Sequence, residues 1–236
     1  MLRKIFRPIG NSLHTGNQNK RKDSSSSKRW LARQMRDPFV KEAQIQHYRA
    51  RSAFKLLEID SRFHIFKPGD YVIDCGAAPG SWSQVAADKV NALSTDKSKP
   101  SGKVVAIDLL DFEPIPGVMT LCKCNFLEKQ NQSQIISCLG DKMADCLISD
   151  MAPNATGIKD LDHENIVCLA SEVFAFAASI LKQDGIMLCK IWDGYLYGNL
   201  KTNLEKSFTN CKIVRPDASR KESSELFILA KGYNKS

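Results

Sequence analysis

The side chains best suited to chemistry stand where apolar runs end. Tyr71–Ile73 is a short run that ends at Asp74 and is followed by Gly76, Ala77, Ala78, Pro79 and Gly80. A helix-period pattern then opens at Trp82, Val85 and Ala86 and continues to about Asn91. Strand, small-residue turn and helix together open a ligand crevice at the carboxyl end of a sheet strand, and small residues let the backbone approach the ligand closely. The turn has neither the glycine spacing of a dinucleotide fingerprint nor the Lys-Ser/Thr of a P-loop, so a ligand other than a pyrophosphate is expected. Asp108 follows a second run, Lys103–Ile107. A carboxylate at that place can accept two ribose hydroxyls at once. Asp150 closes a third run, Asp145–Ser149, just before Met151-Ala152-Pro153-Asn154, and by itself also reads as a turn former. Lys190 lies near the end of Ile186–Ile191, where a lysine costs free energy unless it is paired. Lys55, on a basic helix, reads alone as a phosphate contact or a solvated charge.

These residues need a scaffold, and the apolar periodicity supplies one. A helix is expected from about Val40 to Ile59, with Ile45, Tyr48, Ala53, Phe54, Leu56 and Leu57 as its apolar face. Asn91–Gly102 reads as a polar loop, and Val118–Cys124 as a strand leading into Asn125-Phe126. A helix over Gln132–Leu139 precedes the strand that ends at Asp150. A long helix is expected from an Asp162 cap to Lys182, terminated by Gln183-Asp184-Gly185. A helix at Leu200–Phe208 and strands at Cys211–Val214 and Glu225–Ala230 complete the pattern. Alternating strands and helices predict a largely parallel α/β sheet. The last two strands are joined too briefly for a crossover helix, so the final one should be antiparallel.

Composition bounds the reading. The 236 residues suit one α/β domain plus an arm, and 43% hydrophobic with 25% charged residues is ordinary for a soluble globule. The longest apolar stretch, Val173–Leu181, is too short to span a bilayer. Eight cysteines occur without a C-x-x-C pair, which argues against zinc, and no metal site is expected. Cys75, Cys146 and Cys189 read as small core hydrophobes in a reducing compartment. His47 and His64 have no partner at ligand spacing and read as structural.

The net charge of +8 arises in the N-terminal quarter, where fourteen Lys or Arg face five Asp or Glu through Asp60. Such an excess suits a polyanion, because cations that neutralise phosphates release condensed counterions. Met1–Lys22 is basic, free of acidic residues and interleaved with apolar ones, like a mitochondrial transit peptide or a basic arm that touches RNA. Residues 1–27 are therefore set apart from a single domain over residues 28–232. Within that domain, residues 28–60 form a basic extension in which Trp30 can stack on bases while its neighbours hold phosphate.

Several blocks, GAAPGSW, SDMAPN, LCKIWDG, ASRKESSELF and YRARSAFKLLEI, taken together resemble the FtsJ-like ribosomal RNA ribose 2′-O-methyltransferases. The resemblance runs from about Tyr48 to Gly232, and the basic leader and the Asn91–Gly102 loop bring it closest to the mitochondrial branch. It implies the class I S-adenosylmethionine-dependent fold: a mostly parallel seven-stranded sheet with one antiparallel strand and helices on both faces. It also implies a catalytic tetrad, which falls on Lys55, Asp150, Lys190 and Glu225. Glu225 is preferred to Glu222 because it directly precedes the Leu226-Phe227-Ile228 strand. Lys190 is the candidate base and orienter of a ribose hydroxyl, or alternatively a clamp for the developing alkoxide; the residues leave both open.

For the cofactor, S-adenosyl-L-methionine, the resemblance implies Gly76, Ala77, Pro79, Gly80, Ser81 and Trp82 at the methionine and ribose end. Asp108 would hold the ribose, and Asp150 would lie beside the sulfonium or amino group. Asn125 stands where the family commonly has an aspartate for the adenine amino group, with Phe126 beside it; an amide oxygen can accept the same bond. Lys28, Arg29, Trp30, Arg33, Arg36, Arg49 and Arg51 are the expected RNA contacts. The implied substrate is a uridine of mitochondrial large-subunit rRNA, free or within a pre-ribosomal particle, in the matrix. Two other functions stay open on these residues: an RNA-binding ribosome-assembly factor with this fold, and a ribose methyltransferase of tRNA or the mRNA cap.

Overall fold

The computed structural model describes residues 36–220 and 222–235; the leader and Lys28, Arg29, Trp30 and Arg33 lie outside them. Seven strands form one sheet: β1 (Tyr71–Cys75), β2 (Lys103–Ile107), β3 (Val118–Leu121), β4 (Ala144–Ser149), β5 (Leu181–Trp192), β6 (Phe208–Val214) and β7 (Glu225–Tyr233). Their order is β3-β2-β1-β4-β5-β7-β6. β1 to β5 pair in parallel, and β7 runs antiparallel to both β5 and β6, as the short β6–β7 connection requires. This is the seven-stranded sheet with one antiparallel strand that the resemblance implies. The chain moves outward from β1 on one side and from β4 on the other. The β1/β4 boundary is thus the switch point where a crevice opens beyond the strand ends.

Six described helices flank the sheet: α1 (Pro38–Ile45), α2 (Ala53–Phe63), α3 (Ser81–Lys89), α4 (Lys129–Leu139), α5 (Lys159–Ile180) and α6 (Tyr197–Leu204). Strand alternation divides the core in two. Ile73, Val105, Leu147, Met187 and Ile228 pack with residues of α4, α5 and α6, whereas Val72, Val104, Ile148, Leu188 and Phe227 pack with α2 and α3. Cys75, Cys146 and Cys189 are buried in these layers, and burial pushes their thiols upward, so they act as small apolar side chains.

Three expectations need correction. The helix expected over Val40–Ile59 is two helices. His47 adopts φ 59°, and the His47 and Tyr48 amides bond back to the carbonyls of Gln44 and Ala43. That is the Schellman closure, which ends α1 although the apolar pattern runs on. Its start is explained by Asp37, whose carboxylate accepts the Phe39 amide at 3.1 Å ahead of Pro38.

Asp162 is not the cap of α5, which begins at Lys159. Its carboxylate instead gathers the amide and hydroxyl of Thr156 and the amide of Gly157, folding the preceding loop onto the first turn. Nor does Gln183-Asp184-Gly185 end that helix. Leu181 is already extended and pairs with Ala144, so these residues form an irregular excursion within β5, with Asp184 at φ 64°.

Candidate active site

Four charged side chains meet at the carboxyl edge of the α2/α3 face. Lys190 lies two residues beyond Leu188, Asp150 two beyond Ile148, and Glu225 two before Phe227, so period-2 alternation sends all three to that face. Lys190 pairs in register with Phe227, and Trp192 pairs with Glu225, which makes Lys190 and Glu225 diagonal neighbours. α2 brings Lys55 over the same strand, with its Nζ 5.9 Å from the Phe227 ring.

The Lys55 Nζ donates to the Glu225 carboxylate, 2.6 Å from Oε1 and 2.8 Å from Oε2. Lys190 Nζ lies 3.1 Å from Asp150 Oδ1 and also donates to the Asp150 main-chain carbonyl. Ser219 adds a hydroxyl to Glu225 at 2.9 Å. Burial would raise the Glu225 carboxyl, but the charge and hydrogen bond of Lys55, the charge of Lys190 and the Ser219 hydroxyl outweigh it and hold it below its ordinary value. Lys190 is 9% exposed and Glu225 8%, so the pairs are largely shielded from solvent.

The neighbouring crevice is built from the loops after β1, β2 and β4. Gly76 has φ 79°, and a Cβ there would stand 2.0 Å from the Met151 side chain. Only glycine brings these two loops so close. The Gly76 and Ala77 amides bond to the Ile107 carbonyl. Asp108 ties the loops further: Oδ2 accepts the Ala78 amide and Oδ1 the Leu110 amide, each at 2.8 Å.

Asp74 is the residue that sequence reasoning passed over as a strand terminus. It lies within β1, fully buried, accepts the Ser83 hydroxyl at 2.5 Å on Oδ2, and has no hydrogen-bond partner for Oδ1 among the described residues. Burial first, then the charges of Asp150 and Asp108, push its carboxyl up to about 7 against the opposing Ser83 bond. Three carboxylates at the ends of adjacent strands make a crevice suited to a cationic ligand. The signal was present in the sequence: a carboxylate on the inward parity of an apolar strand is costly unless it serves something.

Other expected contacts have different surroundings. The Trp82 indole is buried, donates to the Ser52 carbonyl at 2.9 Å and packs 5.5 Å from Phe227, so its side chain belongs to the core. Ser81 is buried too, hydroxyl to hydroxyl with Ser52 at 2.7 Å. Both leave only backbone to the crevice. Phe126 packs on Phe176 in the opposite core. Asn125 folds onto its own loop, accepting the Leu127 amide and donating to Glu128.

Arg49, expected at RNA, bridges the loops after β1 and β2. Its guanidinium donates to the carbonyls of Pro79 (3.0 Å), Glu113 and Pro114 (2.7 Å), close to Gly80 and Ile115. Arg51 is paired with Asp37 at 2.6 Å and also donates to the Ala218 carbonyl, fastening the α1 cap to the segment before Glu225. Both guanidiniums are thus engaged within the chain. Arg36 is exposed.

Comparison with known proteins agrees with this architecture. Residues 48–233 match the family described as FtsJ-like methyltransferase. The chain is 42% identical over 210 residues to the mitochondrial rRNA methyltransferase 2 of Drosophila melanogaster, covering 89% of this chain and 84% of that protein. It is also 42% identical over 226 residues to ribosomal RNA large subunit methyltransferase E of Xanthobacter autotrophicus, covering 96% and 86%. A crystal structure from Plasmodium falciparum, described as a ribosomal RNA methyltransferase, superposes with a TM-score of 0.67 at 27% identity, covering 79% of this chain and 98% of that one.

Proposed function

This chain belongs to the FtsJ-like methyltransferase family, and from that premise we propose that it is an S-adenosyl-L-methionine-dependent ribose 2′-O-methyltransferase. Its substrate in this reading is a uridine of mitochondrial large-subunit rRNA, modified in the matrix during ribosome biogenesis. The convergence of Lys55, Asp150, Lys190 and Glu225 beside an anionic crevice carries the proposal.

S-adenosylmethionine supplies a methyl carbon on a cationic sulfonium when bound. The residues present fit it: Asp74, whose buried Oδ1 has no partner among the described residues, Asp108 and Asp150 favour positive charge, and Gly76 and Gly80 leave backbone space. Phe126, Ser81 and Trp82 take part through their main chain, since their side chains are held in the protein.

A ribose hydroxyl is a weak nucleophile, so most of the protein's contribution is alignment of the acceptor oxygen. Asp150 fixes Lys190 through two hydrogen bonds, which aims its Nζ at one place on the rim. From there it holds the 2′-oxygen and either takes its proton or stabilises its developing charge. The Glu225 carboxylate, fixed by Lys55 and Ser219, orients the ribose and completes the charge balance.

The rRNA assignment draws on the proteins of Drosophila and Xanthobacter named above and on the basic N-terminal quarter. The mitochondrial assignment draws on the former and on the acid-free basic leader. The test is to map 2′-O-methyl groups on total RNA before and after depletion, with rescue by wild type or Lys190→Ala. One large-subunit rRNA uridine should lose its methyl group and regain it only with wild type. Loss at tRNA or an mRNA cap would overturn the substrate assignment, and restoration by Lys190→Ala would overturn the chemistry.

A further inference from the structure

β5 does not stop at the tetrad. After Trp192 it enters a tight loop, residues 193–196, before α6 begins at Tyr197. Three attachments hold this loop at the crevice rim. The Asp193 amide donates to the Ser224 carbonyl at 2.7 Å, next to Glu225. The Leu196 amide donates to His163 Nε2 at 2.9 Å, on the first turns of the helix that follows the Asp150 loop. At Gly194 a Cβ would lie 2.4 Å from the His163 ring, so backbone rests directly on that imidazole.

Between these attachments Tyr195 is 66% exposed, and its ring centroid is 5.3 Å from that of His163. His163 itself is buried, and its Nδ1 has no hydrogen-bond partner among the described residues. Its Nε2 is committed to accepting the Leu196 amide, so the imidazole is tied to this loop. An aromatic ring left open to solvent, held in tilted contact with a buried ring, on a loop that continues the Lys190 strand and is tied down next to Glu225, has the form of a stacking platform. Ile158 (61% exposed) and Leu161 (40%) extend the apolar rim at the start of the same helix.

We propose that Tyr195 stacks on an unpaired nucleobase adjoining the ribose that Lys190 addresses, with His163 as the positioning residue that fixes its ring. The inference rests on the ribose-methyltransferase reading and adds to it how the nucleotide is held. Single-stranded RNA is recognised largely by splayed bases on aromatic faces, and stacking tolerates any base. Asp108, Asp74 and the small-residue turn lie on the cofactor side, so this contact leaves cofactor affinity alone.

The experiment uses the full chain and a uridine-rich single-stranded RNA carrying one 2-aminopurine, whose fluorescence falls on stacking. Wild type, Tyr195→Phe and Tyr195→Trp should quench it. Tyr195→Ala should bind roughly tenfold or more weakly without quenching, while S-adenosylhomocysteine affinity and the melting temperature stay unchanged. His163→Ala should fall between them, with weaker quenching than Tyr195→Phe. Equal binding and quenching by Tyr195→Ala would overturn the platform while leaving the ribose-methyltransferase reading intact. A wild-type protein that binds no RNA would overturn both.

Discussion

Asp74 offers the sharpest physical test of the crevice. Its carboxyl is fully buried and raised from 3.8 to about 7, chiefly by burial. In the unfolded chain it ionises near its ordinary value, so between about pH 4 and pH 7 the folded state binds the extra proton. The resulting stabilisation is fully present below the unfolded value, declines as pH rises, and is gone once the folded group ionises near 7. The whole interval corresponds to about 4 kcal/mol, of which about 2–3 kcal/mol is lost between pH 5 and pH 8. Asp74→Asn removes the dependence while keeping an acceptor for Ser83. Urea unfolding of both proteins from pH 5 to 8 should show the variant gaining on wild type by about 2–3 kcal/mol across that range. The same physics predicts that a cationic ligand in the crevice expels the Asp74 proton. Near pH 6, calorimetry in buffers of different ionisation enthalpy should then show proton release with S-adenosylmethionine, less with S-adenosylhomocysteine and none from Asp74→Asn. A stability difference that stays flat with pH would refute the reasoning.

Other perturbations have equally definite outcomes. Glu225→Gln leaves the shielded Lys55 ammonium without a counter-charge; denaturation should show a loss of about 2–4 kcal/mol, and methyl transfer should fall more than RNA affinity. Because the Glu225 carboxyl is held low, its contribution is present above the unfolded value near 4.5 and disappears as pH falls through the folded one. Gly76→Ala forces a left-handed alanine whose Cβ lies 2.0 Å from Met151; it should abolish S-adenosylhomocysteine binding in equilibrium dialysis and lower the melting temperature. Arg49→Ala releases the carbonyls of Pro79, Glu113 and Pro114, so KM for S-adenosylmethionine should rise at least several-fold with little change in the salt dependence of RNA binding.

The alternation of strands and helices and the antiparallel final strand were legible because periodicity and connection length are local properties. Once Leu188 and Phe227 are read as inward, Lys190 and Glu225 must be inward as well. The partners were not legible, since pairing Lys55 with Glu225 spans 170 positions and depends on where α2 lands on the sheet. The α1–α2 break escaped notice because a left-handed histidine closes the helix without a glycine to mark it. The carbonyl contacts of Arg49 were not legible for a different reason: a cationic side chain in a basic segment has one composition whether it faces phosphate or main-chain carbonyls. Trp82 shows the same ambiguity in an apolar setting, since a tryptophan side chain beside a ligand turn is as readily a core group fastening two helices.

The central claim is that the charges at the β5 edge act on a ribose oxygen. The most direct measurement is single-turnover methyl transfer to an RNA in which only the target nucleotide carries 2′-deoxyribose. The account predicts that transfer vanishes while the RNA binds as tightly as before; undiminished transfer to the deoxy substrate would place the methyl group on a base and contradict it.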